Sequence, residues 1–349
     1  MKAIVLHEWV RSWGNNLRLE EVPTPKPGPR DVLIRVRACG VGYTVTKFLM
    51  GKDDGGADPL LLPRIPGHEI AGDVVETGEK VFEYKKGERV LVYFYLICGR
   101  CQCCLAGEQN HCVNRKGLVG MHIDGGYAEY VNVPVQNVLP LPDSIPYRDA
   151  TVINDAVATP VHVMKHRALV KPGDTILIVG AGGGVGVHAV QAAKFCGGRV
   201  IGADVDDAKL KQLKDFGATE VINVKDQSML DEVKRLTNGN GVDAAVDFVC
   251  NQKTLIDTAN CLGRRGRMVV MAQPQIPLSI LSSPVLIARE VTITGSRYAT
   301  FQDFMEATEL VRRSIIKPVI GEEGELEDAE KIHSHIAQNK IFGRGVVTL

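Results

Sequence analysis

Four cysteines lie close together in one segment of the chain. The segment has the spacing C-x2-C-x2-C-x7-C and contains Cys98, Cys101, Cys104 and Cys112. Four neighbouring thiolates suit tetrahedral zinc, which they would enclose without leaving a position open for chemistry. An iron–sulfur cluster is the alternative, but the long last spacing matches neither ferredoxin pattern. We predict one structural zinc ion in a lobe of about residues 95–115, with Cys103 as a spare thiol.

A glycine-rich segment offers a second kind of chemistry. It follows the apolar run 175–179 and leads into a helix-like stretch, and its candidate binding residues are Gly180, Gly182, Gly183, Gly184, Val185 and Gly186. Glycines there let backbone N–H groups approach a pyrophosphate at the positive end of a helix. Two registers of the G-x-G-x-x-G fingerprint are open, and the one ending on Gly186 is preferred because it keeps the last glycine.

An acidic residue, Asp204, ends the next predicted strand. A carboxylate at that point accepts hydrogen bonds from the ribose hydroxyls of NAD and repels the 2′-phosphate of NADP. Asp206 and Asp207 lie at the start of the following helix, where a cap is expected. The sequence therefore predicts NAD(H) as the cofactor.

These segments belong to two different patterns of elements. Short alternating runs such as 31–38 and 69–76, separated by Gly/Pro turns, predict a β-rich first part. Beyond about residue 160, strands and helices alternate, which is typical of a doubly wound parallel sheet. The last residues, 345–349, read as a strand that needs a partner in the first part. The expected fold class is α/β, a β-rich domain plus a doubly wound domain.

Bulk composition limits the function classes. The 349 residues exceed one ordinary core, and their zero formal net charge offers no field for nucleic acid. The longest apolar run, 90–98, is shorter than the ~20 residues of a membrane span. The N-terminal segment lacks the apolar core of a signal peptide. We expect no nucleic-acid or membrane partner and a cytoplasmic location.

With both motifs placed, the chain resembles the medium-chain, zinc-type alcohol dehydrogenases over nearly its full length. Gly67-His-Glu-x-x-Gly72-x5-Gly78-x-x-Val81 is similar to the family's zinc signature, and 124–129 (DGGYAE) to another family segment. The resemblance implies a GroES-like catalytic domain at 1–156 and 298–349, a Rossmann domain at 157–297, and a homodimer or homotetramer. It also implies that Arg344 reaches the cofactor phosphates, although an ordinary surface charge explains that residue type equally well.

The expected catalytic-zinc site departs from the family pattern G-V-C-H-T-D. Here residues 40–45 read GVGYTV, so Gly42 replaces the cysteine ligand and Tyr43 the histidine. Thr44 keeps the family's hydroxyl, while Lys47 stands where the family has a relay histidine.

Three further site residues are retained, namely His68, Glu69 and Asp155. His68 and Asp155 fall on the second and third ligand positions. Cys39 lies three residues before Gly42 and would point to the opposite face of a strand, so we interpret it as a buried apolar residue. A catalytic zinc is therefore doubtful, and Gly42→Cys is expected to raise the zinc count towards two per subunit.

The resemblance implies an NAD(H)-dependent alcohol dehydrogenase or ketone reductase acting on a secondary or cyclic alcohol or ketone, with or without a catalytic zinc. Hydride would pass between nicotinamide and carbinol carbon, with Thr44 handling the proton. A zinc-independent reductase of activated C=C bonds is one alternative, and a non-catalytic NAD-binding protein is another.

Overall fold

The computed structural model describes residues 1–51, 61–271 and 282–349. Within them the strands are β1 (Lys2–Leu6), β2 (Leu17–Glu21), β3 (Asp31–Val41), β4 (Glu69–Thr77), β5 (Arg89–Val92), β6 (Tyr130–Pro134), β7 (Val138–Pro140), β8 (Thr175–Val179), β9 (Arg199–Asp204), β10 (Glu220–Asn223), β11 (Val242–Asp247), β12 (Leu262–Val270), β13 (Thr292–Gly295), β14 (Ile320–Glu325) and β15 (Arg344–Thr348). The α-helices are α1 (Tyr43–Leu49), α2 (Gln102–Leu105), α3 (Tyr147–Val152), α4 (Ala158–His162), α5 (Gly186–Phe195), α6 (Asp207–Leu213), α7 (Met229–Leu236), α8 (Gln252–Cys261), α9 (Ser283–Arg289), α10 (Phe301–Arg312) and α11 (Ala329–Ala337). No helix in the described ranges is long and apolar enough to cross a membrane.

The chain divides into two units. The first contains Met1–Asp155, Thr300–Ser314 and Pro318–Leu349, and the second contains Ala156–Ala299 and Ile315–Lys317. The sequence analysis placed 1–156 and 298–349 in the first unit, whereas residue 156, residues 298–299 and residues 315–317 lie in the second. Within the second unit, the Gln191 side chain donates to the Lys317 carbonyl at 2.9 Å and accepts from its N–H at 2.8 Å.

The first unit is built on a sheet of the order β14-β15-β3-β4-β5-β7, with β6 also paired to β3. Alternation along β3 buries the side chains on one face, as Val32, Ile34 and Val36 show. β15 pairs antiparallel with β3 through Gly345 opposite Val41. This pairing supplies the partner that a terminal strand requires.

The register of β3 also positions β4, because Gly40 lies opposite Glu69. The start of β15, the end of β3 and the start of β4 therefore lie side by side. Three residues far apart in the sequence, Gly42, Glu69 and Arg344, are brought together at this edge by strand pairing alone.

The second unit holds six parallel strands in the order β10-β9-β8-β11-β12-β13. Numbered from β8, this order is 3-2-1-4-5-6, the doubly wound arrangement that binds dinucleotides at the carboxyl ends of its strands. The apolar runs of β8, β9 and β11 are buried against α7 and α8, with Leu177, Ile201 and Ala245 at 0% exposure. The predicted parallel sheet is confirmed.

Candidate active site and binding sites

A buried ion cluster lies where the start of β15, the end of β3 and the start of β4 lie side by side in the sheet. Arg344 Nε donates to Glu69 Oε2 at 2.9 Å, and its Nη2 donates both to Glu69 Oε1 and to Asp155 Oδ2, the latter at 3.0 Å. Asp155 lies in a π-helical turn, Ile153–Val157, a feature common at functional sites. Glu69 is fully buried and Arg344 is 3% exposed. We name this group of Glu69, Asp155 and Arg344 the Arg344 cluster.

The Arg344 cluster corrects one of the two expectations for Arg344. The side chain is not an ordinary surface charge, because it is buried. Its guanidinium donates to two carboxylates of the first unit, and the expectation from the resemblance, that Arg344 reaches the cofactor phosphates, stays a prediction. A planar guanidinium matches a carboxylate in a two-point contact, which makes such pairs strong.

Burial and charge act in opposite directions in this cluster. Burial raises the pKa of Glu69 to about 7, although the neighbouring Arg344 cation lowers it in part. Burial alone would lower the pKa of Arg344, but the attraction of Glu69 and Asp155 outweighs it and raises that pKa above its ordinary value. We infer that a permanently charged guanidinium is what allows the two carboxylates to remain in this interior.

His68 adjoins the Arg344 cluster but is not hydrogen-bonded to it. Its Nε2 lies 3.5 Å from Glu69 Oε1, and within the described residues neither ring nitrogen has a hydrogen-bond partner. The ring packs on Phe94 with the centroids 4.2 Å apart. Burial lowers the pKa of His68 to about 4, so the imidazole is neutral near pH 7.

These residues do not fit a catalytic zinc. Ligand atoms of His68, Glu69 and Asp155 lie within 4.8 Å of one another, but both carboxylates are bound to Arg344. A Cβ built at Gly42 would overlap the Arg344 guanidinium and come within 2.8 Å of Glu69 Oε1. A cysteine ligand at position 42 and the observed position of Arg344 are therefore mutually exclusive.

Three predicted site residues share one face of α1, whose first residue is Tyr43. Tyr43 is 56% exposed, and Thr44 and Lys47 are half-buried, while Val45, Phe48 and Leu49 point into the core. Residues three and four apart are neighbours on a helix surface, so Lys47 lies next to both Tyr43 and Thr44. This face offers two hydroxyls and one ammonium, and it begins one residue after Gly42.

A buried histidine on α11, which the sequence analysis did not identify, lies behind α1. Its two ring nitrogens are 2.8 Å from Thr46 Oγ1 and 2.9 Å from Tyr127 Oη, and Trp13 stacks over the ring. This residue, His333, is separated from Thr46 by 287 positions, so no local pattern marks it. Its partner Tyr127 belongs to the segment 124–129. That segment was the signal in the sequence that could have drawn attention to this part of the fold.

The four predicted zinc ligands converge in the first unit. Their sulfur atoms lie within 4.8 Å of one another, with 3.6 Å between Cys98 and Cys112 and 3.8 Å between Cys101 and Cys112. Zinc–sulfur bonds of about 2.3 Å in a tetrahedron place sulfurs about 3.8 Å apart, so the donor set fits zinc. The N–H of Cys104 donates to Cys101 and lowers the pKa of that thiol to about 6.

The glycine-rich loop of the second unit fits a dinucleotide. Gly180 has φ of +77°, a conformation that favours glycine. A Cβ at Gly186 would overlap the Gly180 carbonyl, and one at Gly182 would come within 2.8 Å of Lys209. The glycines thus keep the loop closed against the start of α5, where backbone N–H groups favour an anion.

Asp204 lies at the end of β9 beside this loop. Its Oδ2 accepts from the Gly182 N–H and its Oδ1 from the Val205 N–H, both at 2.8 Å. Asp206 caps α6 by accepting from the N–H groups of Ala208 and Lys209. Asp204 is therefore fixed next to the phosphate-binding loop, and the capping role belongs to Asp206.

Two family models match the chain. The alcohol dehydrogenase GroES-like domain matches residues 28–143, and the zinc-binding dehydrogenase domain matches residues 184–313. An NAD-dependent alcohol dehydrogenase of Sulfurisphaera tokodaii is 33% identical over 346 residues, covering 96% of this chain and 97% of that protein. The chain therefore belongs to the medium-chain, zinc-type alcohol dehydrogenase family, and it is an oxidoreductase.

Solved structures agree with this assignment. The alcohol dehydrogenase of Aeropyrum pernix has a TM-score of 0.91 at 30% identity, with all of both chains covered. The acetophenone reductase of Geotrichum candidum, solved in complex with NAD, has a TM-score of 0.84 at 30% identity, covering 100% of this chain and 97% of that one. Gly42, Tyr43 and Val45 distinguish this chain from the family pattern G-V-C-H-T-D.

Proposed function

We propose that this protein is an NAD(H)-dependent alcohol dehydrogenase or ketone reductase that acts on secondary or cyclic substrates without a catalytic zinc ion. The observation that carries the proposal is the polar face of α1. Thr44 presents a hydroxyl there, flanked by Tyr43 and Lys47, while the Arg344 cluster nearby already has its carboxylates neutralised. Relatives named as NAD-dependent alcohol dehydrogenases support it.

The residues of α1 account for the proton side of the reaction. The nicotinamide, when bound, supplies or accepts the hydride. During reduction the Thr44 hydroxyl gives its proton to the substrate oxygen and takes one in turn from the solvent that reaches this face, and both transfers run in reverse during oxidation. Lys47, one turn further along, adds positive charge that stabilises the developing alkoxide. Tyr43 provides a second hydroxyl on the same face.

Substrate preference follows from the strength of these groups. Lewis-acid polarisation by a metal contributes several kcal/mol, whereas one well-placed hydrogen-bond donor contributes about 3 kcal/mol. Activated, conjugated or aryl carbonyls need less polarisation and should be turned over faster than simple alcohols. The name of the similar acetophenone reductase, an enzyme for an aryl ketone, agrees with this preference.

A second candidate is reduction of an activated C=C bond. It is favoured by Gly42, which contributes no metal ligand, because hydride addition to the C=C bond of an enone does not require a metal. Product analysis separates the two, since an enone yields an allylic alcohol in one case and a saturated ketone in the other.

The test is NADH oxidation with cyclohexanone, acetophenone, cyclohexenone or no added substrate. We expect ketone-dependent turnover that falls about 10²- to 10⁴-fold in Thr44→Val and is retained in Thr44→Ser, which keeps the hydroxyl. NADH oxidation that no carbonyl accelerates would reject the proposal, and equal rates in wild type and Thr44→Val would reject the role of Thr44.

We further propose a homodimer or homotetramer in the cytoplasm. Support comes from family resemblance and from cysteine usage, since nine cysteines, four of them gathered at one site, suit a reducing compartment. Small alcohols and carbonyl compounds are its partners, and nucleic acid and membranes are not expected to be.

A further inference from the structure

The Arg344 cluster lies where the family's catalytic metal ligands would converge. His68 and Asp155 occupy the second and third ligand positions by resemblance, and Gly42 the first. In the structure, the direction in which a side chain at position 42 would project is filled by the Arg344 guanidinium. The space for a thiolate at position 42 is thus occupied by a cation from this chain.

We propose that Arg344 replaces the catalytic metal as the resident cation of the site, and that Gly42 is the substitution that admits it. The inference deepens the proposed function and rests on it only for the reaction involved. The proposal itself is that the Arg344 guanidinium prevents a second zinc ion from binding. It is tested by measuring bound metal, which requires no catalytic turnover.

Charge balance supports this exchange. Glu69 is fully buried, and the Asp155 side chain is 14% exposed, so each carboxylate needs a nearby cation to remain ionised. Either a divalent ion or a guanidinium can provide it. The two cannot do so together, because like charges a few ångströms apart in a poorly solvated site repel strongly.

The low exposure of the Arg344 side chain indicates whether it can contact a substrate. At 3% exposure the guanidinium is enclosed by its carboxylate partners, whereas Tyr43 and Thr44 on α1 reach solvent. Arg344 is therefore a positioning residue that holds Glu69 and Asp155, and the polar contacts to substrate come from α1.

The experiment measures zinc per subunit and thermal melting with and without added Zn²⁺. The proteins are wild type, Gly42→Cys, Arg344→Ala, Arg344→Lys and the double variant Gly42→Cys/Arg344→Ala. We expect about one zinc in wild type and in Gly42→Cys, held by the four-cysteine lobe, and about two in the double variant. This expectation revises the one from sequence, in which Gly42→Cys alone raised the count.

Melting provides a readout that does not require the engineered thiolate. Arg344→Ala leaves two carboxylates without their cation, so its melting temperature should fall and should recover when Zn²⁺ occupies His68, Glu69 and Asp155. Arg344→Lys keeps the charge and should not respond to zinc. Gly42→Ala is the matched control for Gly42→Cys, because it adds the same Cβ atom without a metal ligand. The two variants should lower the melting temperature by the same amount.

Three results would overturn the proposal. The first is a second tightly bound zinc ion in wild type, and the second is a second zinc ion in Gly42→Cys alone. The third is a folded double variant that binds only one zinc ion per subunit. If the double variant does not fold, the zinc response of Arg344→Ala decides, and no response contradicts the proposal. A wild type that holds one zinc but reduces no carbonyl would reject the proposed function and leave the inference on Arg344 intact.

Discussion

Glu69 depends on a residue 275 positions later in the chain. Its carboxylate is buried between strands, and Arg344 makes a two-point contact with it that a smaller or more flexible cation would not reproduce. Gly42 matters at the same scale for the opposite reason, since its missing side chain leaves the volume that the guanidinium fills. Two single residues therefore decide what kind of cation the site contains.

Cofactor preference is a second property set by one residue. Replacing Asp204 with Ser should reduce the preference for NADH over NADPH by at least about tenfold, because a carboxylate next to a 2′-phosphate costs free energy. The measurement is the ratio of kcat/KM for the two cofactors. Asp206→Ser is the matched control: it alters a capping residue of α6 and should leave the ratio unchanged. A wild type that uses NADPH as well as NADH would contradict the prediction.

At the scale of elements, His333 ties α11 to α1 and to the loop that carries Tyr127. Burial is the main reason that the pKa of His333 falls from 6.5 to about 3, with smaller contributions from His68 and Arg344. The folded protein therefore binds fewer protons than the unfolded chain between these pH values. Its stability should decrease as pH falls from 6.5 towards 3.

The corresponding test compares pH dependence rather than absolute stability. In His333→Gln the slope of unfolding free energy against pH should be smaller by up to one proton, about 1.4 kcal/mol per pH unit. Urea titrations at several pH values measure it. An unchanged slope in His333→Gln would show that His333 is not the group that titrates.

The four-cysteine lobe is a second element whose order depends on a local feature. Its helix α2 has only four residues, and metal coordination is coupled to folding in such segments. Cys101→Ala should lower the melting temperature by roughly 5 °C or more and remove the bound zinc. Cys103→Ala changes a thiol outside the ligand set and should do neither. Equal losses in both variants would refute the ligand assignment.

At the scale of the whole molecule, the first unit is assembled from segments at both ends of the chain. β15 pairs with β14 on one side and β3 on the other, so the sheet that carries Glu69 is complete only when the last residues are in place. The polar face of α1 and the Arg344 cluster both belong to the unit that this pairing completes.

Assembly is the prediction at this scale. Light scattering after size exclusion should give twice or four times the 38.0 kDa chain mass. Closed symmetric oligomers of two or four subunits are the common solutions for soluble enzymes. A monomer over a hundredfold range of concentration would refute it. Cys103→Ala should match wild type, which controls for oxidation of a spare thiol.

Features encoded within short segments could be predicted from the sequence. Three such features are the cysteine spacing, the glycine loop with Asp204 and the alternation of strands and helices. Each occupies a few to a few dozen neighbouring residues, so its residue pattern alone indicates its structure and chemistry. Boundaries were close as well, since the strand predicted at 345–349 is observed as Arg344–Thr348. The site residues on α1 followed from the family pattern rather than from local structure.

Only the tertiary structure decided which residues contact one another across the sheet. From sequence, Gly42 meant a missing ligand and Arg344 a phosphate contact or a surface charge. Neither residue pointed to the other, because they are separated by about three hundred positions and meet through the pairing of β15 with β3. Strand register, a long-range property set by burial of one face, is therefore what turned a lost metal ligand into a site for a guanidinium.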